Sequence, residues 1–234
     1  MNAVSTRPLI LLPGLGADAR MYREQKKAFP QLVVPNWIEP LSGESLQQYA
    51  KRFAREINPG KPFFLGGSSL GGIIALEMSR YINPDALFLF ACGRSHKQMT
   101  PWLRKVRSLA ALSQILPWNT ASLVSELGLT LANPVIPSTV RSLMKHLHHR
   151  EIPFVKWGLH AVLRWESQWH STDVRVHHLH GEKDPFFPAC VSGACEIVAG
   201  AGHLLTRTHH DAVTRFIAAR IDQEVPHSCR TTSE

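Results

Sequence analysis

The stretch Gly67-Ser68-Ser69-Leu70-Gly71 constrains the fold more than any other part of this sequence. An apolar run at residues 63–65 leads into it and an apolar stretch with helical spacing leaves it, which predicts a sharp turn from a buried strand into a helix. A backbone that turns this tightly leaves almost no room for side chains two residues before and two residues after its apex. Only Ser69 has glycine at both positions, so we expect Ser69 at the apex with its hydroxyl exposed.

Short apolar runs alternate with helical periods along much of the chain, a pattern typical of right-handed βαβ crossovers that feed a parallel sheet. A clear helix is predicted to start after Ser45 and to end before Asn58-Pro59-Gly60. The sequence therefore predicts an α/β fold with a mostly parallel sheet flanked by helices. The expected strands lie at residues 9–12, 32–34, 63–65, 86–90, 174–179 and 195–198.

Residues 97–170 interrupt this rhythm, because they show helical periods broken by prolines and no convincing strand. We interpret this segment as a helical lid inserted into one domain, whose core consists of residues 1–96 and 171–222. Residues 223–234 are polar and lack an apolar period, so we expect a disordered tail there.

The formal net charge of +8 raises the question of a nucleic-acid partner. Residues 97–170 carry nine Lys or Arg against three Glu, so most of the excess lies in the predicted lid. Solvated faces of amphipathic helices explain it more simply than an anion site does. Because no zinc-finger spacing or RNA-binding signature occurs, we expect no nucleic-acid partner.

No apolar stretch in the sequence is long enough to span a membrane, and no long apolar run follows a basic start near Met1, so we expect neither a membrane span nor a secretion signal. The four cysteines, at 92, 190, 195 and 229, lack C-x-x-C spacing and are too few for a disulfide scaffold. We therefore expect them to be reduced, and the protein to be cytoplasmic.

A serine hydroxyl becomes a nucleophile only when a histidine takes its proton and a carboxylate orients that histidine. Asp184 is the best-placed acid, because it follows a predicted strand and Pro185 keeps it out of the helical region. A solvated loop aspartate remains the alternative. Among 13 histidines, His203 follows the last predicted strand and Gly200-Ala201-Gly202, a loop that can carry an imidazole back over the sheet edge.

An acyl-transfer site also needs donors for a developing oxyanion. The N–H of Leu70, at the start of the helix after Ser69, is one candidate, and that of Leu15, in the turn after the first strand, is the other. A simple Pro-Gly turn at residues 13–14 explains that loop equally well. We expect no metal, because the histidines at 177, 178 and 180 alternate between strand faces and the histidines of residues 145–149 have no acidic or cysteine partner.

The order Ser69, Asp184, His203, with the motifs Gly-x-Ser-x-Gly, His-Gly-Glu-Lys-Asp and Gly-Ala-Gly-His around them, resembles the α/β-hydrolase fold superfamily over nearly the whole chain. The resemblance implies that Ser69 is the nucleophile, His203 the base and Asp184 the orienting acid. It also implies oxyanion donors at Leu15 and Leu70, and no cofactor. One departure is Pro13-Gly14, where the family usually has His-Gly, so a side chain that often braces this loop is missing.

Five of the six tryptophans fall in residues 97–170 and predict an apolar roof, although most of these rings are explained by docking of the lid on the core. The expected function is hydrolysis of a carboxylic ester or thioester of a small apolar substrate. The alternatives are a lyase or C–C bond hydrolase that uses the same residues, and a ligand-binding protein with little turnover. Candidate substrate contacts are Arg94, Trp102, Arg104 and Lys105, and the three cations among them are candidate partners for an anionic end of the substrate.

Overall fold

A computed structural model describes residues 6–101, 103–104, 152–167, 174–188 and 195–224. Its six strands pair in parallel and form one sheet with the order β2-β1-β3-β4-β5-β6. The predicted α/β fold with a parallel sheet is confirmed. The strands are β1 (Leu9–Leu12), β2 (Leu32–Val33), β3 (Phe64–Ser68), β4 (Ala86–Phe90), β5 (Arg175–Gly181) and β6 (Glu196–Val198).

The described helices are α1 (Arg23–Ala28), α2 (Leu46–Ile57), α3 (Leu70–Met78), α4 (Ile152–Arg164), α5 (Leu205–Thr208) and α6 (His210–Glu224), with short 3-10 helices at Ala19–Tyr22 and His96–Gln98. Helix α2 begins where the sequence predicts, because Ser45 and Gln48 form a reciprocal capping box. Among the described helices, none has the length and apolar character that a membrane span requires.

The sheet lies between two apolar layers, and the alternation of side chains along β1 shows how they are divided. Ile10 and Leu12 pack with residues of α2, α3 and α4, whereas Leu9 and Leu11 pack with residues of α6 on the opposite face. Because both faces are covered, the strands are held rigidly. Their carboxyl ends therefore offer fixed positions for the loops that follow them.

Most of the predicted lid lies outside the described residues, so its boundaries at 97 and 170 stay a prediction. Helix α4 is the main described element of this segment, and it lies against the core. The Trp157 indole donates to the carbonyl of Glu44, 2.8 Å away, and the Trp165 indole donates to the carboxylate of Glu77 at the same distance. These two rings dock the segment just before the start of α2 and on α3. The predicted tail from 225 to 234 also lies outside the described residues.

The expectation that all four cysteines are reduced is wrong for Cys195, which is disulfide-bonded to a partner outside the described residues. Cys92 is free and buried, as expected. Spacing along the chain reveals local pairs such as C-x-x-C, but it does not show which thiols the fold brings together. Because disulfides persist mainly in oxidising compartments, the cysteines no longer support a cytoplasmic location.

Candidate active site

Ser69 sits at the apex of the turn between β3 and α3, with φ of 55° and ψ of −121°. Such a positive φ is strained for a residue with a side chain. The turn brings its flanking glycines into backbone contact: a Cβ on Gly67 would lie 2.5 Å from the carbonyl carbon of Gly71, and a Cβ on Gly71 would overlap the carbonyl oxygens of Leu12 and Pro13. The requirement for glycine at both positions, inferred from the sequence, is confirmed.

His203 reaches Ser69 from the loop that follows β6. This loop passes so close to the end of β5 that a Cβ on Gly181 would lie 2.5 Å from the carbonyl oxygen of Gly202. The Nε2 atom of His203 lies 2.8 Å from the Oγ of Ser69. The neighbouring Ser68 is fully buried, so Ser69 is the serine that faces the imidazole.

Asp184 follows β5 and holds the other side of the imidazole. Its Oδ2 lies 2.8 Å from Nδ1 of His203, while its Oδ1 accepts the N–H groups of Phe186 and Phe187 at 2.9 and 3.2 Å. The carboxylate side chain is completely buried. An ionised carboxylate only accepts hydrogen bonds, and beside one the imidazole would carry its proton on Nδ1 and leave Nε2 to accept from the serine hydroxyl.

Two aromatic rings enclose the imidazole. Phe186 meets the His203 ring edge-on at 4.6 Å between centroids, and Phe187 lies roughly parallel to it at 6.4 Å. His203 keeps only 13% of its side chain exposed. The rings restrict the imidazole to the orientation that bridges the hydroxyl and the carboxylate.

Two peptide groups, Gly14-Leu15 and Ser69-Leu70, are each held in place by a hydrogen bond that their carbonyl oxygen accepts. Ala17 N–H donates to the Gly14 carbonyl at 3.1 Å, and Ile73 N–H donates to the Ser69 carbonyl at 3.1 Å. Because a trans peptide is planar, the N–H of the following leucine must point the opposite way in each case. Within the described residues, neither leucine N–H donates to another backbone carbonyl. Both groups are oriented and available as donors.

Gly14 is also held on its amide side, by a residue that the sequence does not single out. Its N–H donates to the sulfur of Met21 at 3.4 Å, and its Cβ position would lie 3.7 Å from Cβ of Ser69. Met21 belongs to the 3-10 helix that follows the loop, where the side chain of Asp18 caps the N-terminus. The loop that carries Leu15 is thus braced directly beside the serine. Neither composition nor periodicity could reveal this contact, because it depends on how the loop folds back.

Several solved structures share this architecture. An esterase from Thermogutta terrifontis matches with a TM-score of 0.62 at 15% identity, covering 93% of this chain and 90% of its own. An α/β hydrolase fold protein from Burkholderia ambifaria gives 0.59 at 18% identity, covering 92% and 90%. The RedJ thioesterase of the prodiginine pathway in Streptomyces coelicolor gives 0.56 at 16%, covering 95% and 92%. No family model and no curated protein matches the sequence.

The chain has the α/β-hydrolase fold. In this fold the candidate site occupies the carboxyl ends of β3, β5 and β6, where the loops that bear Ser69, Asp184 and His203 converge. The site thus draws on three separate parts of the chain. Each of the three residues follows a strand that is predicted from the sequence.

Two further histidines lie on the same face of β5 within the α/β-hydrolase fold. The rings of His178 and His180 are 4.2 Å apart, and Nε2 of His178 donates to the carbonyl of Cys92 at 2.8 Å. Burial lowers the pKa of both imidazoles, that of His178 strongly, and the charge of Arg94 lowers them further. His177 points to the other face, toward Glu224. As predicted, these histidines divide between the two faces of the strand. The described residues contain no group of three or more His, Cys, Asp or Glu side chains that could hold a metal ion.

Two of the four predicted substrate contacts, Arg94 and Arg104, lie among the described residues. Arg94 follows β4, is half-buried, and its backbone N–H donates to the side chain of Gln98 at 2.6 Å. Arg104 is exposed. Trp102 and Lys105 lie outside the described residues.

Proposed function

We propose that this protein is a serine hydrolase that cleaves a carboxylic ester or thioester through an acyl-enzyme on Ser69. The observation that carries the proposal is the position of His203, whose two ring nitrogens lie 2.8 Å from Ser69 Oγ and 2.8 Å from Asp184 Oδ2. This is the hydrogen-bonding pattern by which an imidazole removes a proton from a hydroxyl while a carboxylate stabilises the resulting imidazolium.

In the proposed reaction, Ser69 Oγ attacks the carbonyl carbon while its proton moves to Nε2 of His203. The negative charge that develops on the carbonyl oxygen is stabilised by the N–H groups of Leu15 and Leu70. His203 then gives the proton to the departing alcohol or thiol, which leaves the acyl group on Ser69. A water molecule, deprotonated by His203, attacks this acyl-enzyme and releases the carboxylic acid.

The surroundings favour an uncharged, apolar acyl group. Phe186 and Phe187 flank the imidazole, and the side chains of Leu15 and Leu70 extend from the proposed oxyanion donors. The solved structures that share the fold include an esterase and a thioesterase. Because one fold hosts many reactions, the choice rests on the site chemistry, and the hydrogen bond between the Ser69 hydroxyl and His203 supports a serine nucleophile.

Initial rates on p-nitrophenyl esters from acetate to octanoate, and on the corresponding acyl-CoA thioesters, test the proposal. We expect turnover of at least one series by the wild type, none by Ser69→Ala, and near wild-type rates for Ser68→Ala. Ser68 is the matched control because its Oγ is buried and makes no hydrogen bond among the described residues. An equal loss of turnover in Ser69→Ala and Ser68→Ala, or full activity of Ser69→Ala, would contradict the assignment of Ser69 as the nucleophile. A wild type that binds these acyl compounds without turning them over would favour a ligand-binding protein, and one that cleaves only C–C bonds would favour that alternative chemistry.

A further inference from the structure

Gly158 occupies the middle of helix α4, where a glycine needs a structural reason. Apart from proline it is the least favourable residue inside a helix, because it gains no packing and loses the most backbone freedom. Gly158 is buried, whereas its neighbours Lys156 and Leu159 are exposed. Its absent side chain therefore matters on the face that α4 turns toward the core.

That face lies directly on the two residues whose N–H groups we assign as oxyanion donors. A Cβ on Gly158 would lie 2.6 Å from Cδ1 of Leu15 and 3.0 Å from Cδ2 of Leu70. Both separations are shorter than normal carbon–carbon contacts. Glycine is thus what allows the backbone of α4 to rest on both leucine side chains.

Helix α4 cannot move away to accommodate a larger residue at this position. The ring of Trp157, the preceding residue, packs at a tilt against Tyr49 with 4.4 Å between centroids, and its indole donates to the carbonyl of Glu44. Beyond the end of the helix, Trp165 is fully buried and donates to Glu77. A side chain at residue 158 must therefore displace the leucines rather than the helix.

We propose that Gly158 is a positioning residue for the oxyanion site: it lets α4 press on Leu15 and Leu70 and hold the peptides that bear the donors. This inference rests on the proposed function. Leu15 is the more sensitive of the two, because it belongs to a loop between β1 and a 3-10 helix, whereas Leu70 is fixed as the first residue of α3. Contact with α4 restrains the loop at Leu15, in addition to the brace that Met21 forms at Gly14.

The first test compares Gly158→Ala with Lys156→Ala, an exposed substitution in the same helix. We expect Gly158→Ala to lower kcat roughly 3- to 30-fold, less than the 10²- to 10³-fold typical of losing a whole oxyanion donor. KM should change little, because the donors act mainly on the transition state. The melting temperature should change only slightly, because the gain in helix propensity offsets the cost of crowding the two leucine side chains. Lys156→Ala should match the wild type in all three quantities. A merely structural role for Gly158 would instead change the melting temperature and leave kcat unchanged, and that result would overturn the inference.

The second test asks whether the effect passes through Leu15. The Leu15→Ala substitution keeps the backbone donor but removes the atom that would clash with a Cβ at residue 158. If the inference holds, Gly158→Ala lowers kcat much less in the Leu15→Ala background than in the wild type. An equal loss of kcat in both backgrounds would overturn the inference.

Failure of this inference can be told apart from failure of the proposed function. A wild type that shows no Ser69-dependent turnover would count against the proposed function, whereas an active wild type with an unaffected Gly158→Ala variant would refute this inference alone.

Discussion

The carboxylate of Asp184 divides its two oxygens between the imidazole of His203 and its own loop. Oδ2 faces Nδ1 of His203 at 2.8 Å, while Oδ1 accepts two backbone N–H groups at 2.9 and 3.2 Å. The same side chain thus shapes the turn after β5 and orients the imidazole that approaches Ser69.

This division makes Asp184→Asn a selective test. Asparagine keeps an oxygen for the N–H groups of Phe186 and Phe187, so the loop should persist. Its amide cannot hold the imidazole in the same tautomer, and we expect kcat to fall by up to roughly 10⁴-fold, as in other triads. Steady-state kinetics measure the loss. Glu182→Gln is the control, because Glu182 lies two residues earlier and accepts only the N–H of Gly200 among the described contacts. A near wild-type kcat for Asp184→Asn would refute the role of this carboxylate.

Met21→Leu removes the sulfur that accepts the N–H of Gly14 but keeps an apolar side chain of similar size. Thioether sulfur is a weak acceptor, so we expect kcat to fall roughly two- to fivefold, within the range for one net hydrogen bond. Met78→Leu makes the same replacement in the buried part of α3 and should leave kcat unchanged. If both variants keep the wild-type kcat, the brace at Gly14 contributes nothing to turnover.

Trp165→Phe tests the anchor between the predicted lid and α3. The indole N–H donates to the buried carboxylate of Glu77 at 2.8 Å, so its removal should lower the free energy of unfolding by about 1–3 kcal/mol. Urea denaturation gives this value. Trp157→Phe loses a hydrogen bond to a neutral carbonyl and should cost less, about 0.5–1.5 kcal/mol. The reverse ranking of the two variants would contradict a buried polar anchor at Glu77.

Stability should fall as the pH is lowered through the usual range of histidine titration. Burial holds the pKa of His178 well below its ordinary value, so the folded protein binds fewer protons than the unfolded chain below pH about 6.5. The contribution of neutral His178 to the free energy of unfolding is therefore fully present above that pH, and it is lost as the pH falls toward the pKa of His178 in the folded protein. His178→Gln can still donate to the Cys92 carbonyl but does not titrate there, so its melting temperature should depend less on pH between 7 and 5. An identical dependence in the two proteins would argue against a neutral, buried His178.

Much of the fold is readable from the sequence because its signals are local. Strand β4 is an uninterrupted apolar run, and helix α2 shows both a cap at Ser45 and regular apolar spacing, so both appear where predicted. The turn at Ser69 is equally local, because the glycines on either side are required by backbone contacts within a few residues. Strand β5 extends to Gly181, two residues beyond its predicted end, because pairing with β6 continues through His180 and Gly181.

The contacts that depend on distant segments could not be read in this way. The roles of the Met21 sulfur and of the missing side chain at Gly158 become visible only in the folded protein, where the loop after β1 contacts both residues. Ser69, Asp184 and His203 could be predicted from the sequence because each follows a predicted strand at the same sheet edge. Their geometry agrees with that expectation, and their chemical roles stay predictions.

The central claim is that Ser69 is a nucleophile activated by His203, and a fluorophosphonate probe tests it most directly. Intact-mass and peptide mass spectrometry after labelling should show one adduct on the wild type, located at Ser69. The adduct should persist in Ser68→Ala, disappear in Ser69→Ala and form far more slowly in His203→Ala. A folded wild-type protein that gains no mass, or an adduct at another residue, would contradict the account.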